Sequence, residues 1–188
     1  MRITGGQHKG RVFDPPKLEG FRPTMEKVRL AVFSMLNSQM ELAGCKVLDC
    51  YSGSGAFGLE SLSRGAAHCT FIEKNSDLIK FSASVADKLG ILRSAKFIRG
   101  VLPAELNKLS EEFDLIFSDP PYDSSPGDFL VKLLELRILK LGGLLVFETA
   151  KSNKDAVDST GELYLESLRD KTYGDTRVRI FRKKVIHE

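Results

Sequence analysis

An α/β fold built on one mostly parallel, doubly wound sheet is predicted for this 188-residue chain by three observations. From residue 46 onward, short apolar strands alternate with stretches of helical spacing, the pattern that generates strand–helix–strand units. Strands such as LLVF are apolar without interruption, which signals burial on both faces of a sheet. The first strand ends at an acidic residue, Asp49, and runs through a glycine-rich turn into a helix, LDCYSGSGAFGLE. In open sheets of this kind, ligands bind beyond the carboxyl ends of the strands.

The elements follow in order. Residues 1–22 read as an appendage of short extended pieces, punctuated by Gly5-Gly6, Gly10 and Pro15-Pro16. Arg22-Pro23-Thr24 then leads into a helix with Met25, Val28, Val32 and Met35 on one face. Thr24 is the expected N-cap, although Lys27 stands where a capping box would have glutamate. Residues 1–40 are thus expected to form a basic hairpin-and-helix extension, and residues 41–188 the main domain. Lys46 to Asp49 is the first strand, with a helix from Ala56 to Arg64. His68 to Ile72 is the second, β-branched and aromatic in character, followed by a helix from Asp77 to Leu89. Phe97 and Ile98 mark a short third strand, and Pro103 opens a helix at the turn where proline is tolerated. Phe113 to Phe117 is the fourth strand, and Phe129 to Leu139 has helical spacing. Gly142-Gly143 breaks the chain before a fifth strand, Leu144 to Phe147. Leu163 to Leu168 and Thr176 to Phe181, joined through Gly174-Asp175, read as an antiparallel hairpin at the sheet edge, making seven strands.

Composition narrows the class. The charged and apolar fractions are those of an ordinary globular protein, and 188 residues suffice for one sizeable core. No apolar run reaches the roughly 18 residues of a membrane helix, and MRITGGQHKGR lacks the apolar stretch of a secretion signal, so the cytoplasm is expected and no membrane partner. Cys45, Cys50 and Cys69 have no CxxC spacing, and His8, His68 and His187 are scattered, so neither a disulfide framework nor a metal site is expected. The net charge of +3 is unevenly spread. Residues 1–30 and 169–188 each carry seven Lys or Arg against three Asp or Glu, while the middle is acidic. Basic ends around an acidic centre fit a polyanion touched by the periphery of the fold.

Two motifs carry chemistry. Gly53-Ser54-Gly55-Ala56-Phe57-Gly58 fits a nucleoside-binding loop, whose glycines let the backbone approach a ligand and adopt positive φ. Glu73, at the end of the second strand, is placed to accept hydrogen bonds from both ribose hydroxyls. This pairing alone serves NAD and S-adenosyl-L-methionine equally. Asp49 favours the latter, because an anion suits its ammonium group and would repel a pyrophosphate. The second motif, Asp119-Pro120-Pro121-Tyr122, follows the fourth strand and lies on the same rim. The Asp119 carboxylate and the Pro120 carbonyl can each accept one N–H from an exocyclic amine, drawing its nitrogen toward tetrahedral geometry and stabilising the developing positive charge. The two prolines, Pro120 and Pro121, fix the backbone. Tyr122 can stack on the base.

These residues resemble the class I S-adenosylmethionine-dependent methyltransferases, and more narrowly the RsmD family. The resemblance rests on GGQHKGR, FRPTMEKVRLAVFSML, LDCYSGSGAFGLESLSRGA, the FIEKN strand end, FSDPPY and the basic tail DTRVRIFRK. It implies a single Rossmann-like methyltransferase domain acting on the N2 amine of a guanine in small-subunit (16S) ribosomal RNA, within an assembled or nearly assembled 30S particle. It implies cofactor contacts from Asp49, Tyr51, Gly53, Ser54, Gly55 and Glu73. It places the target amine at Asp119 and Pro120, beside Pro121 and Tyr122, and RNA against Lys9, Arg11 and Arg22. One departure stands out. Where many class I enzymes place an acidic residue after the third strand, this chain has Arg99-Gly100-Val101-Leu102, which leaves adenine recognition to backbone groups or apolar packing.

Other readings stay open at this level. DPPY serves the N6 amine of adenine in DNA or RNA equally well, although a separate target-recognition domain has little room here. An NAD-linked oxidoreductase would need a proton donor that no His or Tyr–Lys arrangement supplies. A non-catalytic RNA-binding protein on the same fold is the third. A monomer is expected, since no exposed apolar helix face calls for a partner.

Overall fold

The computed structural model describes residues 1–18, 25–121, 126–152 and 159–185. Seven strands form one sheet: β1 (Lys46–Cys50), β2 (His68–Glu73), β3 (Ala95–Arg99), β4 (Phe113–Ser118), β5 (Leu139–Ala150), β6 (Leu165–Tyr173) and β7 (Thr176–Lys183). Their spatial order is β3-β2-β1-β4-β5-β7-β6. The first five are parallel, whereas β7 pairs antiparallel with both β5 and β6. The order reverses between β1 and β4, so the loops after these two strands open into one crevice.

Among the described residues, five helices flank the sheet: α1 (Glu26–Asn37), α2 (Ala56–Ser63), α3 (Ser76–Lys88), α4 (Pro126–Glu135) and α5 (Ser159–Tyr164). Two apolar clusters result, one on each face. Val28, Val32, Phe33 and Leu36 of α1 join Phe57, Leu59 and Leu62 of α2 over Val47, Phe71, Leu115 and Phe117. On the other face Phe129, Leu130 and Leu133 of α4 cover Leu48, Ile116, Leu145 and Phe147. Among the described residues, no helix is long and apolar enough to cross a membrane.

Several boundaries differ from the sequence reading. The buried face of α1 is Val28, Arg29, Val32, Phe33 and Leu36, while Met25 is its N-cap residue and exposed. Thr24, the expected cap, lies outside the described residues. Asn75 caps α3 by accepting from the N–H groups of Asp77 and Leu78. The helix expected to run to Leu139 stops at Glu135, and β5 begins at Leu139. Gly142-Gly143 interrupts the pairing of β5 with β4, which shifts register between Phe113 and Leu115, without ending the strand. Pro103 leads into a 3-10 turn over Ala104–Lys108 rather than an α-helix. Residues 163 and 164 belong to α5, so β6 starts two residues later than expected.

The N-terminal residues fold back as a small antiparallel hairpin, with Arg2 bridged to Val12 and Ile3 fully buried. This hairpin docks on the last turn of α2. The Gln7 N–H donates to the Ser63 carbonyl at 2.8 Å, and the Ser63 hydroxyl donates to the Gly5 carbonyl at 2.6 Å. Glu60 of α2 is buried beneath it, accepting from the Thr4 N–H and hydroxyl at 2.7 Å each. Arg29 of α1, itself buried, reaches the same carboxylate at 3.6 Å and donates to the Arg2 carbonyl. Arg64 closes the network at 2.9 Å.

Helix α2 lies close against the sheet because Gly58 has no side chain. A Cβ there would stand 2.2 Å from the Phe71 ring and 2.7 Å from Cys69 Sγ. Gly58→Ala is therefore expected to destabilise the fold by about 1–3 kcal/mol despite alanine's better helix propensity. A chemical denaturation midpoint equal to the native value would contradict this packing.

Candidate active site

The glycine loop leaves β1 with Tyr51 at φ 55°, Gly53 at φ 52° and Gly55 at φ 73°. Gly55 has no room for a Cβ, which would meet Ser82 Oγ at 2.8 Å. Two carboxylates fix the loop. Asp49 Oδ2 accepts from the Gly58 N–H at 2.9 Å, occupying one of the unpaired donors at the start of α2. Glu73 at the end of β2 accepts from the Gly53 N–H at 3.0 Å and from the Asn75 N–H at 2.8 Å. Each Glu73 oxygen retains a second lone pair, the acceptor capacity that a vicinal diol requires.

Strand pairing brings the second motif alongside. Cys50 of β1 is in register with Ser118 of β4, so Tyr51 and Asp119 leave neighbouring strands at the same level. Strands in a sheet lie about 4.8 Å apart. Pro120 is buried and Pro121 exposed. Tyr122 lies outside the described residues. A narrow pocket of about 10 Å³ joins the two motifs, lined by Asp49, Tyr51, Ser52, Ala56 and Phe57 on one side and by Phe117, Ser118, Asp119, Val146 and Glu148 on the other. Phe57 stacks on Phe117 with ring centroids 4.6 Å apart, and Tyr51 leans on Phe129 at 5.6 Å.

The pocket is acidic. Burial pushes the Asp119 carboxyl up to about 6. Burial also holds Asp49 well above the usual carboxylate range; the Gly58 N–H offsets part of this, while Asp119 and Glu73 add to it. Glu148 is raised well above its ordinary value by burial, then by the charges of Asp119 and Asp49. Burial likewise takes the Tyr51 phenol to about 12. Such a site favours a ligand bearing positive charge and repels a pyrophosphate. The donors that a pyrophosphate would use at the start of α2 are moreover partly taken by Asp49 and Glu73. The residues present thus fit a cationic nucleoside better than a dinucleotide.

Not every residue singled out in the sequence lines this pocket. Asp49, Tyr51 and Asp119 do. Gly53 and Gly55 form the adjoining loop, Glu73 holds it from the end of β2, and Ser54 is buried with its hydroxyl 3.8 Å from Met1 Sδ. Lys9 and Arg11 are exposed on the N-terminal hairpin, whose tip docks at the end of α2 remote from the loop. Arg22 lies outside the described residues. Beyond the end of β3, Val101 is exposed. The sequence reading missed Glu148, buried at the rim in FETA. The signal was there: an acid closing an apolar run, as Glu73 and Asp119 do on β2 and β4.

A seven-stranded sheet of this order, with a glycine loop after β1 and an acid-proline-proline turn after β4, is the Rossmann-like architecture of class I methyltransferases. A solved structure from Escherichia coli, described as "Putative methyltransferase yhhF", matches it with a TM-score of 0.84 and 28% identity, over 98% of each chain. The family model described as "Conserved hypothetical protein 95" matches residues 1–182, and the chain belongs to this family, the RsmD methyltransferases. Among curated relatives, it is 31% identical over 188 residues to "Putative rRNA methyltransferase YlbH" of Bacillus subtilis, covering 98% of this chain and 100% of that one. It is 35% identical over 137 residues to "Ribosomal RNA small subunit methyltransferase D" of Escherichia coli K12, covering 72% of this chain and 67% of the relative.

Proposed function

We propose that this protein transfers a methyl group from S-adenosyl-L-methionine to the exocyclic N2 amine of a guanine in small-subunit ribosomal RNA. The observation that carries the reading is that Asp49, Tyr51 and Ser52, at the end of β1 and in its glycine loop, line one acidic pocket together with Asp119. Relatives named as rRNA methyltransferases support the substrate class.

When bound, S-adenosylmethionine supplies an electrophilic methyl on a sulfonium. Glu73 would hold the ribose hydroxyls, Asp49 the ammonium group, and the Gly53–Gly55 backbone the nucleoside. Asp119, once ionised, and the Pro120 carbonyl each accept one N–H of the target amine. This aligns the nitrogen lone pair and compensates its growing positive charge. Asp119 or water then takes the proton that the alkylated nitrogen sheds. Tyr122 stacks on a base extruded from its RNA context. Lys9, Arg11 and Arg22 meet the phosphate backbone, positioning rather than specifying. The assembled or nearly assembled 30S particle is the expected substrate, met in the cytoplasm by a monomer.

Glu73→Ala is expected to weaken S-adenosylhomocysteine binding about tenfold or more, since hydrogen bonds to a charged group contribute about 1.5–3 kcal/mol. Unchanged affinity by calorimetry would remove Glu73 from the ribose role. The reaction itself is tested by incubating the protein with labelled S-adenosylmethionine and unmodified small subunits, then mapping the modified nucleotide by mass spectrometry. Label on a nitrogen other than guanine N2 would overturn the assignment.

A further inference from the structure

One buried group in the pocket has no part in the reaction as described. Glu148 is 3% exposed, and its Oε1 has no hydrogen-bond partner among the described residues. Buried polar atoms are almost always paired, and this unpaired carboxyl oxygen lines the pocket beside Asp119, where a ligand atom can complete it. Its place along the rim indicates which ligand. The strands run β2-β1-β4-β5. Ser118 pairs with Cys50 on one side and with Phe147 on the other, so Asp119 stands between the glycine loop and Glu148. With the cofactor over β1 and β2 and the reacting amine at Asp119, the purine ring extends toward β5.

Resting on the guanine-N2 reading, we infer that Glu148 is a substrate-reading residue that hydrogen-bonds N3 of the target guanine, one of the two ring nitrogens flanking the carbon that bears the reacting amine. N3 accepts a hydrogen bond and has none to give, so an ionised carboxylate would repel its lone pair, whereas a neutral carboxyl complements it. The surroundings keep the group neutral. Asp49 on β1, Tyr51 in the loop and Asp119 after β4 share its pocket, and its partner on β7 is Val178, flanked by Arg177 and Arg179. Burial and the two neighbouring carboxylates both disfavour a further negative charge. The contact fixes the rotation of the ring about the amine, which aims the N2 lone pair.

Two substitutions test this. Glu148→Gln keeps a donor at the same reach, and Glu148→Leu removes it while filling the space. With unmodified small subunits and S-adenosylmethionine, the Gln variant is expected to keep kcat/KM within about tenfold of native and the Leu variant to lose about 10²-fold or more. Calorimetry should find S-adenosylhomocysteine binding to both as to the native protein. Native activity should also fall as pH rises through the ionisation of Glu148, and the Gln variant should lack that alkaline limb. A Leu variant as active as native, an identical alkaline limb in native and Gln proteins, or weakened S-adenosylhomocysteine binding in the Gln variant would each overturn the role. A native protein that binds S-adenosylhomocysteine yet methylates no guanine N2 would overturn the underlying reading, and this role with it.

Discussion

Asp119→Ala is expected to lower methyl transfer by about 10²–10³-fold or more while leaving S-adenosylhomocysteine affinity within about tenfold. The split arises because Asp119 acts on charge that develops at the substrate nitrogen, and the bound cofactor does not need it to stay in place. Its ionised form is the one that accepts the amine N–H, and burial raises that ionisation to about pH 6. The kcat/KM of the native protein should therefore fall as pH drops through about 6. That limb should be absent from whatever activity the variant retains. Normal turnover by Asp119→Ala would show that the amine is held elsewhere.

Glu60→Ala should produce the largest loss of stability. Glu60 is completely buried and compensates Arg29, which is also buried, while holding Thr4 and Arg64. Burial already pulls Arg29 below its usual range, with Glu60 as the largest opposing influence. Removing the carboxylate takes from a buried guanidinium its nearest counter-charge and leaves the Thr4 N–H unpaired, at a cost of about 3–5 kcal/mol. For a chain of this size that corresponds to a melting temperature lower by roughly 10 °C. Glu60→Gln should lose less, since it keeps an acceptor for Thr4. A Glu60→Ala protein melting within about 2 °C of native would mean that the network contributes little.

The strand cores were legible because a strand buried on both faces is apolar throughout, as in LIF of β4 and LLVF of β5. The reversal between β1 and β4 then placed Asp49 and Asp119 on one rim without any tertiary information. What escaped was of two kinds. Element limits set by packing were misjudged at α1, where Phe33 and Leu36 turn inward and Met25 outward, and at β5, where Gly142-Gly143 is carried within the strand. Buried charges were missed because a glutamate or arginine reads as solvent-facing unless its partner is known. For Glu60 that partner, Thr4, lies 56 positions away. Glu148 was missed as well, although its place at the end of the apolar run LLVF was visible in the sequence.

Helix α2 is only eight residues long and is held at both extremities, by Asp49 on the Gly58 amide and by the hairpin on Ser63. An α-helix turns about 100° per residue, so a single insertion between those points would swing Glu60 away from Thr4 and Arg29. Loops elsewhere can drift in length across relatives of this protein. This segment cannot, and its residue count should behave as a constant of the architecture.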